Sequence, residues 1–152
     1  YKKMVNSRRS RRIIIGLGSN LNQTINIEQA QNYLESAFED MTFSNPMWTD
    51  PIDMPNSAMF MNVVGVGYCH VGEEGVLHAL KDLERRCGRI RTSSKLGMIP
   101  LDADLLFYDD HFCHEKDWER DYIQELVRQL EDFFTDEDRA MLADKIVLNQ
   151  HQ

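Results

Sequence analysis

The 152-residue chain is long enough to build one compact domain around a sizeable core. Its net charge of −8 argues against a nucleic-acid partner, whose phosphate backbone demands a basic surface, while leaving room for a nucleotide held in a local basic pocket. No segment approaches the apolar run that spans a bilayer, no signal-peptide core opens the chain, and three cysteines (Cys69, Cys87, Cys113) in no redox or zinc spacing suit a reducing cytoplasm.

Lys2, Lys3, Arg8, Arg9, Arg11 and Arg12 crowd the start of the chain. A flexible basic tail over residues 1–12 is expected, followed by a single domain over 13–152; an address or a nucleic-acid arm is the alternative. Ile13-Ile14-Ile15 is a short apolar strand, and Gly16-Leu17-Gly18 is expected as its tight exit turn. A dinucleotide fingerprint there fails, because Leu21 stands where the third glycine belongs. Asn26 with Gln29 reads as a capping box opening a helix that buries Ile27, Ala30, Leu34 and Phe38. Met41 to Thr49 reads as a strand closed by Asp50-Pro51, and a loop follows to Ala58.

Met59 to His70 alternates most clearly, with Phe60, Asn62, Val64, Val66 and Tyr68 on one face. A helix over residues 73–87 buries Val76, Leu80, Leu83 and Cys87, with Gly88 as its C-terminal cap. A strand from Leu101 to Tyr108 completes a β-α-β-β-α-β order. The expected class is therefore α+β: a ferredoxin-like βαββαβ antiparallel sheet with two helices on one face. Two additional C-terminal helices follow, one carrying Trp118, Tyr122, Leu126, Leu130 and Phe133, the other opened by a Thr135–Asp138 capping box.

Asp102 and Asp104 carry the strongest chemical signal. Two carboxylates at i, i+2 share one face of a strand that is otherwise apolar and aromatic. Burial beside each other is costly without a cation, and Mg²⁺ takes such oxygens together with phosphate. A solvated strand edge is the alternative. Asn62, flanked by Phe60 and Val64, needs hydrogen-bond partners that either the edge of a flat heterocycle or a nearby loop backbone would supply. His111, Cys113 and His114 crowd together without a complementary ligand pair in the sequence, and an exposed turn is expected there.

In these motifs the chain resembles the hydroxymethyldihydropterin pyrophosphokinases, folate-pathway enzymes that move pyrophosphate from ATP to a pterin alcohol. The resemblance runs from Ile13 to Tyr108. It rests on Leu17-Gly18-Ser19-Asn20-Leu21, Thr49-Asp50-Pro51, Phe60-Met61-Asn62, Leu83-Glu84, Gly88-Arg89-Ile90-Arg91 and the strand from Leu101, ungapped between Glu84 and Asp104. It implies a ferredoxin-like fold, ATP and a pterin alcohol as partners, and two Mg²⁺ ions held by Asp102 and Asp104. Thr49, Ile52, Phe60 and Asn62 would border the pterin, while Glu84, Arg89 and Arg91 would line the nucleotide side. The reaction implied is in-line attack of the hydroxymethyl oxygen on the β-phosphorus, with AMP leaving.

The chain departs from the family pattern just before the acidic pair. Where the family usually reads Arg-Trp-Gly-Pro-Arg-Thr, this sequence reads Lys95-Leu96-Gly97-Met98-Ile99-Pro100. Lys95 is then expected to carry catalytic charge that arginines share in relatives, as a point rather than a fork. Ile99 replaces a phosphate-binding arginine, Leu96 replaces an aromatic lid, and the family's later His-Pro motif and closing strand are missing. Two further readings follow: a pterin- or nucleotide-binding module that has lost catalysis, and an interaction domain built on the acidic helices after Asp117. The sequence leaves the exact substrate and the oligomeric state open.

Overall fold

The computed structural model describes residues 9–54 and 57–149. Residues 1–8, which hold most of the expected tail, lie outside them. The elements are β1 (Arg11–Ser19), α1 (Gln23–Ala37), β2 (Glu39–Phe43), β3 (Met47–Thr49), β4 (Phe60–Cys69), α2 (Glu73–Arg86) and a short α3 (Arg91–Lys95). Then come β5 (Asp102–Tyr108), β6 (His111–Phe112), α4 (Asp121–Arg128) and α5 (Asp136–Leu142), with 3-10 turns at Asp117–Glu119 and Glu131–Phe133.

The sheet runs β2-β4-β1-β5-β6, with β3 also paired to β4, and every pairing is antiparallel. The chain leaves β1 through α1, skips one position to lay down β2, and fills the gap with β4. That is the predicted ferredoxin-like topology. No helix among the described residues is long and apolar enough to cross a membrane.

Strand alternation splits the core in two. Ile13, Ile15, Leu17, Val63 and Leu105 face α1 and α2, packing on Ile27, Leu34, Val76, Leu80 and Leu83. Ile14, Val64, Val66, Leu106 and Phe107 face the other way and are covered by Trp118, Ile123, Leu126, Leu130, Phe134 and Leu142. Covering both faces explains the unbroken isoleucine run in β1. Between Ile14 and Ile15 the register with β5 shifts, so Leu106 and Phe107 both reach the second face, as a bulge requires.

Several local expectations are corrected. Arg11 and Arg12 belong to β1, and Arg12 is buried rather than part of a tail. Gly16 and Gly18 lie inside that strand, not in an exit turn. The first helix starts four residues early, capped by Asn22 in the left-handed region (φ 49°), and Asn26 is a buried helical residue whose amide donates to the Leu21 carbonyl at 2.7 Å. The strand expected over Met41 to Thr49 breaks at Ser44-Asn45-Pro46 into β2 and β3. There the Ser44 hydroxyl accepts from the Val64 N–H at 3.0 Å, standing in for a ladder partner. The helix expected after Trp118 divides into α4 between two 3-10 turns. Gly88 (φ 92°) and the Thr135–Asp138 capping box sit where the sequence puts them.

Candidate active site

Three adjacent strands build the site on the second face of the sheet. Asn62, Gly18 and Asp102 stand in one cross-strand row, and Val64, Gly16 and Asp104 in the next. Two glycines in the central strand leave a trough between the carboxamide and the carboxylates. A Cβ on Gly18 would lie 3.3 Å from Asn62 Oδ1, and one on Gly16 would lie 3.2 Å from a Leu106 methyl. Close approach of neighbouring side chains, not turn geometry, is what favours glycine here.

A cavity of about 220 Å³ opens over this trough. It brings together Thr49, Ile52, Phe60 and Asn62 with Arg89, Asp102 and Asp104. Its size falls below the roughly 300–1,000 Å³ of drug-sized ligand sites and suits a compact molecule. A wider groove of about 680 Å³ adjoins it, lined by Glu84, Arg91 and Lys95 and sharing Arg89, Asp102 and Asp104 with the cavity. All ten residues selected from the sequence therefore lie on these two spaces, with the acidic pair at their junction.

Asn62 is 5% exposed, and its amide nitrogen donates to Thr49 Oγ1 at 2.8 Å and to the Met47 carbonyl at 3.2 Å. A carbonyl only accepts, so Met47 fixes which end of the carboxamide turns inward. Asn62 Oδ1 accepts no hydrogen bond from the described residues and remains available to an N–H donor in the cavity.

Arg89 is committed within the protein. Its Nη1 donates to Glu84 Oε2 at 2.8 Å, to Asp102 Oδ1 at 2.9 Å and to the Leu101 carbonyl at 3.3 Å. Glu84 also accepts from the Ala103 N–H at 2.9 Å. This network holds the start of β5 against α2 and orients Asp102. Arg91 and Lys95, at the two ends of α3, are exposed and keep free charges on the groove.

Asp104 has no such counter-ion. Burial, followed by the charge and hydrogen bond of Asp102 and the charges of Asp117 and Glu84, pushes its pKa up to about 8. His114 stands 3.8 Å from it, and also 3.8 Å from Asp117. Two hard carboxylates that repel each other at the edge of an open groove fit a divalent cation such as Mg²⁺.

Because the folded-state pKa of Asp104 lies above its ordinary 3.8, the folded protein keeps a proton that the unfolded chain releases between about pH 4 and pH 8. That contribution to stability is complete below pH 4 and is lost as the pH rises to 8. Without divalent ions, Asp104→Asn is expected to melt above the native chain by a margin that widens from pH 5 to pH 8. Thermal melts across that range check it, and a margin independent of pH would contradict it.

The segment after β6 supplies residues that the sequence reading missed. Asp117, Arg120, Tyr122 and Ile123 line the cavity from above. Tyr122 reads simply as part of an apolar helical stripe, and Arg120 and Ile123 carry no local signal. Ile99 faces the cavity rather than the groove. Its loop is pinned to the end of β1 by Asn20, whose side chain bonds the Gly97 carbonyl and the Ile99 N–H, each at 2.7 Å.

A family model for 7,8-dihydro-6-hydroxymethylpterin-pyrophosphokinase matches residues 14–132. The chain belongs to that family. The match extends beyond Tyr108, where the sequence resemblance ended, and takes in Arg120 and Tyr122, so this pyrophosphokinase-family domain includes the covering segment. A curated relative, the "Folate synthesis bifunctional protein" of Arabidopsis thaliana, is 29% identical over 121 residues, which is 73% of this chain and 25% of that protein. The chain thus spans about a quarter of the length of that relative.

Proposed function

We propose that the chain transfers pyrophosphate from ATP to 6-hydroxymethyl-7,8-dihydropterin, the step that prepares the pterin for folate synthesis. The observation that carries this reading is the junction: a compact cavity and a wider groove share one wall, formed by Asp102 and Asp104 with Arg89. A pterin in the cavity would donate an N–H to Asn62 Oδ1, with Phe60, Tyr122 and Ile52 enclosing its ring. ATP would lie along the groove past Glu84, Arg91 and Lys95.

The hydroxymethyl oxygen then attacks the β-phosphorus. A new oxygen–phosphorus bond forms, the bond from the β-phosphorus to the α,β-bridging oxygen breaks, AMP leaves, and the hydroxyl proton passes to solvent. Mg²⁺ held by Asp102 and Asp104 would supply charge neutralisation along the phosphates. Arg89 keeps Asp102 aimed at the groove, Lys95 adds a point charge, and Arg120 contributes a guanidinium from the covering segment. That last group offsets in part the arginines missing from the loop.

Asn62→Ala is expected to weaken pterin binding about 10–100-fold while nucleotide binding is unchanged. Stability should fall by less than about 1 kcal/mol, because the freed Met47 carbonyl and Thr49 hydroxyl can hydrate from the cavity. Calorimetry with the pterin and with a non-hydrolysable ATP analogue in Mg²⁺ checks both. Unchanged pterin affinity with a large loss of stability would make Asn62 a structural residue.

The second reading, a binder without catalysis, is favoured by one observation: Ile99 fills cavity wall where the family carries an arginine. It predicts tight pterin and nucleotide binding with no AMP formed.

A further inference from the structure

The hairpin between β5 and β6 separates the three clustered residues that the sequence treats as one turn. His114 points to the acidic pair, whereas His111 and Cys113 turn toward Glu73, at the first turn of α2. Glu73 and Glu84 sit eleven positions apart on α2, so this second cluster lies about 16 Å along the helix from the Glu84–Asp102 network. His111 in β6 and Cys113 just after it both approach Glu73, and the fold thus brings in the ligand that the local sequence lacks.

We propose that Glu73, His111 and Cys113 form a binding site for a thiophilic divalent ion of the zinc class, with water completing the coordination. One oxygen, one nitrogen and one sulfur lie within 4.8 Å of one another. His111 Nε2 is 2.7 Å from Glu73 Oε1, and Cys113 Sγ is 3.9 Å from Glu73 Oε2. Zinc bonds of about 2.0–2.3 Å in a tetrahedron set ligand atoms roughly 3.3–3.6 Å apart, within a small side-chain rotation of these positions. Asp110 Oδ1 lies 2.9 Å from His111 Nδ1. With the ion bound, that carboxylate would keep the proton on Nδ1 and leave the Nε2 lone pair to the metal, as outer carboxylates do behind metal-bound histidines.

The donor set separates the two sites by chemistry. Thiolate with imidazole selects zinc-class ions, while the all-oxygen pair at Asp102 and Asp104 suits Mg²⁺. Binding releases the thiol proton and the Nε2 proton to solvent, and ties the first turn of α2 to the β6 hairpin. The ion is therefore a staple of the fold, independent of the reaction proposed above.

The 152-residue chain freed of metal by chelation and titrated with Co²⁺ tests this. A thiolate-to-Co²⁺ charge-transfer band should saturate at one equivalent, vanish on adding Zn²⁺, and survive in Asp104→Asn. Zn²⁺ should raise the melting temperature by several degrees. Cys113→Ser should lose the band, and His111→Gln should weaken binding at least about tenfold. Absence of the band in the native chain, or its persistence in Cys113→Ser, overturns the site, leaving His111 as a cation bridging two carboxylates. The native titration decides even if a variant fails to fold.

Discussion

Asp104→Asn is expected to slow AMP formation by a factor on the order of 10²–10³ or more, while making the metal-free protein more stable at alkaline pH. Both effects have one cause. Asp104 is partly buried beside Asp102 with only the weak partner His114, so its charge is unfavourable until a cation arrives. Asparagine removes the repulsion and with it the means of holding Mg²⁺. Asp102→Asn should also slow the reaction, without the gain in stability, because it takes a partner from Arg89. Initial rates at saturating substrates, set beside thermal melts in chelator, check the pair. An Asp104→Asn variant within about threefold of native activity would remove the acidic pair from the chemistry.

Asp138→Ala is the change expected to cost most stability, about 3–5 kcal/mol. Asp138 closes the capping box of α5 and also pairs with Arg12, its Oδ2 lying 2.7 Å from Nη2 and 2.9 Å from Nε. Both side chains are under a tenth exposed. Arg12 further donates to the Phe133 carbonyl at 2.8 Å and packs on the Tyr68 ring, 4.1 Å from its centroid. Removing the carboxylate leaves a buried guanidinium short of a counter-charge and unties the C-terminal helices from the sheet. Urea unfolding should give a lower midpoint with little change in slope. Replacing both partners with apolar residues (Arg12→Met with Asp138→Leu) should recover part of the loss. A single-variant cost below about 1 kcal/mol would contradict the buried clamp.

The sheet was legible in the sequence wherever one strand carries its own signal. Alternation in β4, the isoleucines of β1 and the acidic pair of β5 are local patterns, and they carried the element order together with Asn62, Asp102 and Asp104; most of the other candidate residues came from the family resemblance. Features that depend on a distant partner were not legible. Arg12 looks like one more basic residue in a tail until Asp138 is seen beside it. Glu73 is an ordinary first-turn acid until the β6 hairpin brings up His111 and Cys113. Gly16 and Gly18 suggest a turn because nothing local reveals the Leu106 and Asn62 side chains that crowd them. The helix expected after Trp118 breaks because its residues pack on the sheet in three short pieces, a tertiary choice that helical spacing cannot show.

Pyrophosphoryl transfer is tested most directly by the nucleotide products formed when the native chain is incubated with ATP, Mg²⁺ and 6-hydroxymethyl-7,8-dihydropterin. AMP and a pterin diphosphate are expected in equal amounts, with AMP that requires the pterin and near silence in Asp104→Asn. Absence of AMP under saturating pterin and ATP, or ADP with a pterin monophosphate in its place, would contradict that transfer.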